Sequence, residues 1–283
     1  MTAQSAQRVS LAAEPPDEGC RHLISSVIET QIIPRLLQAH PNGAGRLTQE
    51  NDQTIRIPES DVVEFANLCL LNDAILANSF ADQLVRDGMS HETIFMQLIT
   101  PAARYLGVAW ETDTADFVQV TNGLMRMHEI THRIGFEYQA GPRKPGPRNR
   151  IMLACAPGSQ HILGLTIVSE FFNKEGWQTV VEISSSAEGL IHAAANEWFD
   201  VIGISVAIES QLDGLETLVT GIRKASQNAN VAILLGGPIF TLRHFDATEF
   251  GACEICTDPK VAVKVAVKLA LVIKSAAEQN TRP

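Results

Sequence analysis

The stretch IMLACAPGSQHILGLTIVSEFFNKEGWQTVVEI, Ile151 to Ile183, decides the fold. It opens on a short apolar run, Ile151–Ala156, and breaks at Pro157-Gly158. Helical spacing follows from Ile162 to Glu175, and a β-branched run returns at Thr179–Ile183. Strand, crossover helix and strand make one βαβ unit, and strands without polar alternation are those buried on both faces. The unit then repeats. Further apolar runs stand at Val201–Val206, Val231–Leu235 and, more weakly, Cys253–Cys256. Helical stretches intervene at Ser186–Glu197, Leu212–Gln227, Leu242–Phe250 and Lys260–Ala277. This alternation predicts an α/β domain with a flavodoxin-like, doubly wound, five-stranded parallel sheet. Ligands of such sheets sit outside the carboxyl ends of the strands, at the switch point between the first and the third.

Upstream the pattern changes. AGPRKPGPRNR, Ala140 to Arg150, holds three prolines that forbid a continuous helix, so it reads as a basic Pro/Gly linker. Before it, Val62, Phe65, Ala66, Cys69, Leu70, Ile75 and Leu76, and later Ile94, Leu98, Ile99 and Leu106, recur at threes and fours. That spacing predicts about four helices, a small bundle. Asp87-Gly88-Met89-Ser90 reads as a helix stop followed by a serine N-cap. The chain thus divides into an N-terminal arm with one helix (1–57), a helical cap bundle (58–139), the linker (140–150) and the α/β domain (151–283).

Composition narrows the function. Apolar residues make up 45% and charged residues 19%, a globular balance. Net charge is −10, and residues 1–140 hold 9 basic against 18 acidic side chains, while residues 151–283 hold 9 against 14. Two acidic bodies repel a phosphate backbone, and no helix pair with a basic second helix is present. Direct nucleic-acid binding is therefore not expected. No apolar run is long enough for a bilayer, the first residues lack a signal-peptide core, and five scattered cysteines suit reduced thiols. The expectation is a cytoplasmic protein without a membrane anchor.

Three signals fall at the predicted strand ends. Ser159-Gln160-His161-Ile162-Leu163-Gly164 follows strand one, Ser205-Val206-Ala207 closes strand three, and Gly236-Gly237 follows strand four. An imidazole on a loop above the sheet can hold a metal, glycines leave room for a tail between strands, and Ser205 adds a hydroxyl.

The series H-x-x-G, then Ser, then Gly-Gly resembles the cobalamin-binding module of methionine synthase, corrinoid methyl carriers and cobalamin photoreceptors. The resemblance implies His161 as lower axial cobalt ligand, with Ser159, Gln160, Gly164, Ser205, Val206, Gly236 and Gly237 around the cofactor. Trp110, in GVAW, matches a tryptophan of the helical cap in those relatives. Two departures stand out. Ser159 replaces the usual Asp two residues before the histidine, and Val120-Thr121 replaces the Glu-His found ten residues after the cap tryptophan. Together with PGSQHILG these features resemble the AerR/PpaA antirepressors. That resemblance implies cobalamin, with hydroxo or aquo forms favoured over adenosyl, and no enzymatic activity. It also implies a DNA-binding repressor of the PpsR/CrtJ type as partner, with light and photosynthesis genes in the circuit. A corrinoid methyl carrier and a haem sensor on the same fold are the alternatives.

The bundle carries a rival motif, His128-Glu129-Ile130-Thr131-His132, the H-E-x-x-H of zinc proteases. The third ligand position of the longer signature is Tyr138. A packed role is the simplest reading; the other is that His128 or His132 serves as upper ligand of the cobalt. Cys253-x-x-Cys256 resembles a redox pair but lies at a strand.

Overall fold

A computed structural model describes residues 56–71, 73–139, 148–159 and 161–280. The expected N-terminal arm, most of the linker and Gln160 lie outside the described residues.

The bundle has the four helices that the spacing predicts. Helix α1 (Glu59–Leu70) buries Val62, Phe65, Ala66 and Cys69 along one stripe. Helix α2 (Ala74–Arg86) starts where the Asp73 carboxylate accepts from Ile75 N at 2.8 Å. Ser90 caps the next helix as expected, accepting from Thr93 N at 3.1 Å. That helix, α3, runs through His91–Thr93, a π-helical stretch Ile94–Ile99 and Thr100–Glu111. The widened turn has a local cause. Pro101 has no N–H for the carbonyl four residues back, and its ring crowds that carbonyl. At its end the Thr100 N–H donates to Phe95 O, five residues back, and the Thr100 hydroxyl donates to the same oxygen at 2.8 Å. Helix α4 (Phe117–Tyr138) opens on a reciprocal capping box between Asp116 and Gln119.

The sheet comprises β1 (Arg150–Cys155), β2 (Gln178–Glu182), β3 (Val201–Ser205), β4 (Ala232–Gly236) and β5 (Glu254–Ile255). All pairs are parallel and the order is β2-β1-β3-β4-β5. The crossovers are α5 (Leu163–Lys174), α6 (Ala187–Asn196), α7 (Leu215–Ala225) and a short α8 (Ile239–Leu242), and α9 (Pro259–Asn280) closes the chain. Two expected helices differ. Gly214, at φ +79°, interrupts the third crossover, so α7 begins at Leu215 rather than Leu212. Leu242–Phe250 is not one helix. α8 ends at Leu242, and Asp246 caps a separate 3₁₀ turn, Ala247–Phe250. The rings of Phe240, Phe245 and Phe250, packed edge-on or tilted with centroids 5.6–6.2 Å apart, hold the two pieces together.

Strand alternation builds two cores. Met152 and Ala154 of β1, with Ile202, Ile204, Ile233 and Leu235, pack under α6 and α7. Ile151, Leu153 and Cys155, with Val201, Ala232 and Leu234, face α5, α9 and the bundle. This second core is continuous from Phe65 of α1 to Ala266 of α9. The ring of Phe171 in α5 lies 6.1 Å from Phe95 and 6.0 Å from Tyr138. Bundle and sheet thus share one core, and each covers apolar surface the other would expose.

Candidate functional site

The carboxyl ends of β1, β3 and β4 come into line. Cys155 pairs with Ser205, and Ser205 with Gly236, so three strand-end residues share one row across the sheet. From this row the β1 loop turns up through Gly158, whose φ of +80° only glycine adopts freely. Gly158 N donates to Ser185 O at 3.0 Å and Ser159 N to Ala156 O at 3.1 Å, which fixes the turn. Ser159 is buried and His161 exposed. The Ser159 hydroxyl lies 3.3 Å from His161 Nδ1 and accepts from His161 N at 3.4 Å. Nε2 is therefore the nitrogen left for a ligand. The Cys155 thiol sits beneath, 3.7 Å from His161 O, and burial pushes its pKa up despite a hydrogen bond from Ser159.

The two glycines that flank His161 in the chain face open space. A Cβ placed on Gly158 or Gly164 meets no atom within 4 Å. The glycines after β4 serve a different purpose. A Cβ on Gly236 would lie 2.7 Å from Cys256 O, and one on Gly237, at φ +109°, 2.3 Å from Val206 O. Their missing side chains first allow the chain's own strand ends to close together. Val206 joins the core beneath α6 and α7, so only its backbone lies at the edge. Gln211, which the sequence reading passed over, ties two of these loops. Its side chain accepts from Ala207 N at 2.8 Å and donates to Pro157 O at 3.4 Å.

Above the edge stands α4, and its contacts with α5 fix its direction. His128 Nδ1 lies 3.3 Å from Thr166 Oγ1, His132 Nδ1 lies 3.5 Å from Glu170 Oε1, and Lys174 Nζ donates to Tyr138 O at 2.7 Å. Partners climb together, so the helices run parallel. At about 1.5 Å per residue, the Phe117–His128 stretch carries α4 roughly 12 Å beyond the start of α5. Phe117, Thr121, Leu124 and His128 share one face by spacing. That stretch projects past the end of α5 that follows the His161 loop. Trp110, half exposed, ends α3 just before the turn into α4. Of the Val120-Thr121 pair, Val120 is buried in the bundle core and Thr121 lies on the projecting stripe.

The H-E-x-x-H motif belongs to this seam. Thr166 also donates to Ile162 O at 3.1 Å, so His128 is the donor in their shared hydrogen bond. Burial, and then the neighbouring His132, hold the His128 pKa below its usual value. Tyr138, at the third position of the protease signature, donates to Glu92 at 2.6 Å. Cys253 and Cys256 flank β5 as free thiols, the first exposed and the second buried. Among the described residues no helix is long and apolar enough to cross a membrane.

Residues 149–265 match the family model described as B12 binding domain. An uncharacterized 20.5 kDa protein in the bchF-crtJ intergenic region of Rhodobacter capsulatus is 24% identical over 172 residues, 61% of this chain and 89% of that protein. The monomethylamine corrinoid protein of Methanosarcina barkeri superposes with a TM-score of 0.60 at 15% identity, over 75% of this chain and 99% of its own. A cobalamin-binding protein from Desulfitobacterium hafniense aligns at 14% identity over 74% of this chain and 97% of its own, with a TM-score of 0.38 that carries no weight. Residues 149–265 have the cobalamin-binding fold, and the chain resembles the AerR/PpaA type.

Proposed function

We propose that this chain is a cobalamin-binding, light-responsive antirepressor, without enzymatic activity, that acts on a DNA-binding repressor of the PpsR/CrtJ type. The observation that carries the cofactor reading is His161. It stands exposed at the switch point, with Nδ1 at a buried hydroxyl and open space at Gly158 and Gly164. A cobalamin held there would have His161 as lower axial ligand, with Ser159, Gln160, Gly164, Ser205, Val206, Gly236 and Gly237 around its tail. Trp110, Phe117, Thr121 and Leu124 would cover its upper face. Bound cobalamin supplies a cobalt that accepts axial ligands and, in alkyl forms, a light-sensitive cobalt–carbon bond. An apolar stripe with one hydroxyl offers few polar partners to an adenosyl group, so hydroxocobalamin is the favoured form. For the second axial position His128 is the better placed ring. It donates through Nδ1 and is held neutral, while His132 lies one turn farther from the edge.

The regulatory reading draws support from the Rhodobacter relative and from the acidity of both halves. The likeness to the monomethylamine corrinoid protein favours a methyl carrier as second reading, and an imidazole could equally take haem. Titration with hydroxo- and adenosylcobalamin, in darkness and after illumination, tests the proposal through the visible spectrum. Hydroxocobalamin should bind at least as well. Strong dark binding of adenosylcobalamin with hydroxocobalamin refused would reject the upper-face reading, and haem bands would reject the corrin. A gel-shift assay tests the partner. The chain alone should leave operator DNA unshifted and should change the repressor's affinity for it.

A further inference from the structure

The chain leaves β1 and β3 in opposite directions. The ladder between the two strands ends on Ala156 N, which donates to Ser205 O at 2.8 Å. Beyond it Pro157 has no N–H to offer, and Gly158 N donates to Ser185 O, after β2, at 3.0 Å. On the other strand Val206 N donates to Gly236 O, at the end of β4, at 2.8 Å. The helices that follow part as well: α5 packs on the bundle side of the sheet and α7 on the far side. Loops that diverge in this way open a crevice between them, and ligands of such sheets enter there.

Gln211 reaches back across that crevice. It ends the 3₁₀ turn Glu209–Gln211 after β3, and its Oε1 accepts from Ala207 N at 2.8 Å and from Ile208 N at 3.3 Å. Its Nε2 donates to Pro157 O, in the loop after β1, at 3.4 Å. The two ends are unequal. Two backbone donors anchor the oxygen to its own loop, whereas a single bond, longer than hydrogen bonds usually are, joins the nitrogen to the other. We propose that Gln211 is a clasp across the switch-point crevice, and that the nucleotide tail of cobalamin has to unfasten it on entering. The amide then lets go of Pro157 O and stays anchored through Oε1, so the barrier to entry is the one weak bond. This role rests on the cobalamin reading above.

Stopped-flow absorbance with the full chain tests it, using hydroxocobalamin and aquocobinamide, a corrinoid without the nucleotide tail. Gln211→Glu keeps an acceptor for Ala207 and Ile208 but sets an oxygen against Pro157 O in place of the donor. Gln211→Met removes both ends and adds no charge. Each variant should take up hydroxocobalamin about fivefold faster than wild type, the worth of one neutral hydrogen bond, while aquocobinamide binds at the wild-type rate. Amide hydrogen exchange of the cofactor-free chain reads the clasp without a ligand, and exchange at Gly158 and Ser159 should quicken in both variants. Unchanged exchange there overturns the clasp. Faster exchange without faster uptake of hydroxocobalamin overturns its control of entry, and equal acceleration of both corrinoids overturns the tail as the group it bars. Should wild type bind neither corrinoid, the cobalamin reading fails, and the exchange rates still decide whether Gln211 holds the two loops together.

Discussion

His161 owes its character to two neighbours in the chain. Ser159, two residues before it, takes up Nδ1, and Gly164, three after it, leaves the approach open. Replacing the ring removes coordination and cofactor placement together. His161→Ala is therefore expected to fold normally and to lose more binding free energy than one neutral hydrogen bond supplies, about 1 kcal/mol. Equilibrium dialysis with hydroxocobalamin, beside a far-ultraviolet spectrum, measures both. This residue was legible because a histidine after a predicted strand has a place in the sheet before any contact is known. Cys155 was not, since a cysteine inside an apolar run reads as one more small core residue. Gln211 was equally hidden: its two partners, Ala207 and Pro157, belong to loops that only the sheet order brings together.

At the scale of elements, the seam between α4 and α5 carries the most consequence. Gly135 is there for close approach: a Cβ on it would lie 2.3–2.7 Å from the side chain of Glu170. Glu170 cannot simply swing away, because it is buried and accepts from Gln139 Nε2 at 2.8 Å beside His132. Gly135→Ala should thus cost stability despite alanine's better helix propensity, by about 1–3 kcal/mol, the usual cost of overpacking. Urea unfolding would show it as a lowered midpoint with little change in slope. Of this seam, the extent of α5 followed from apolar spacing while the bounds of α4 did not, and the caps at Ser90 and Asp116 have the residue types such caps require. The purpose of H-E-x-x-H did not follow. Two histidines four apart share a face in any helix, and whether that face meets a metal or a Thr-Glu pair depends on the neighbouring helix.

For the whole molecule, the shared core on the bundle side of the sheet governs motion and stability. Phe65, Phe95, Leu98 and Ile130 of the bundle lie in the same cluster as Ile151, Leu153 and Phe171. A cap swinging freely on the linker would expose that surface, at roughly 25 cal/mol per Å² of apolar area. Opening the cap from the sheet would therefore carry that cost. Heating should accordingly give one transition, coincident by far- and near-ultraviolet dichroism. Saturating hydroxocobalamin should raise its midpoint, since a ligand of the folded state stabilises by mass action. Two separate transitions would mean that bundle and sheet fold independently.

The sequence by itself determined the α/β class, the strand order expected of such a sheet, the four bundle helices and the loop that presents His161. These rest on period and chain direction, which neighbouring residues carry locally. Only the tertiary structure decided that Gly236 and Gly237 first serve strand closure, that Leu242–Phe250 breaks in two, and that His128 and His132 lie against α5. It also decided that Cys253 is exposed while Cys256 is buried, and that the cap and sheet share one core. Each of these depends on which distant segment arrives at a given face, and that is set by burying apolar surface across the whole chain rather than by any local pattern.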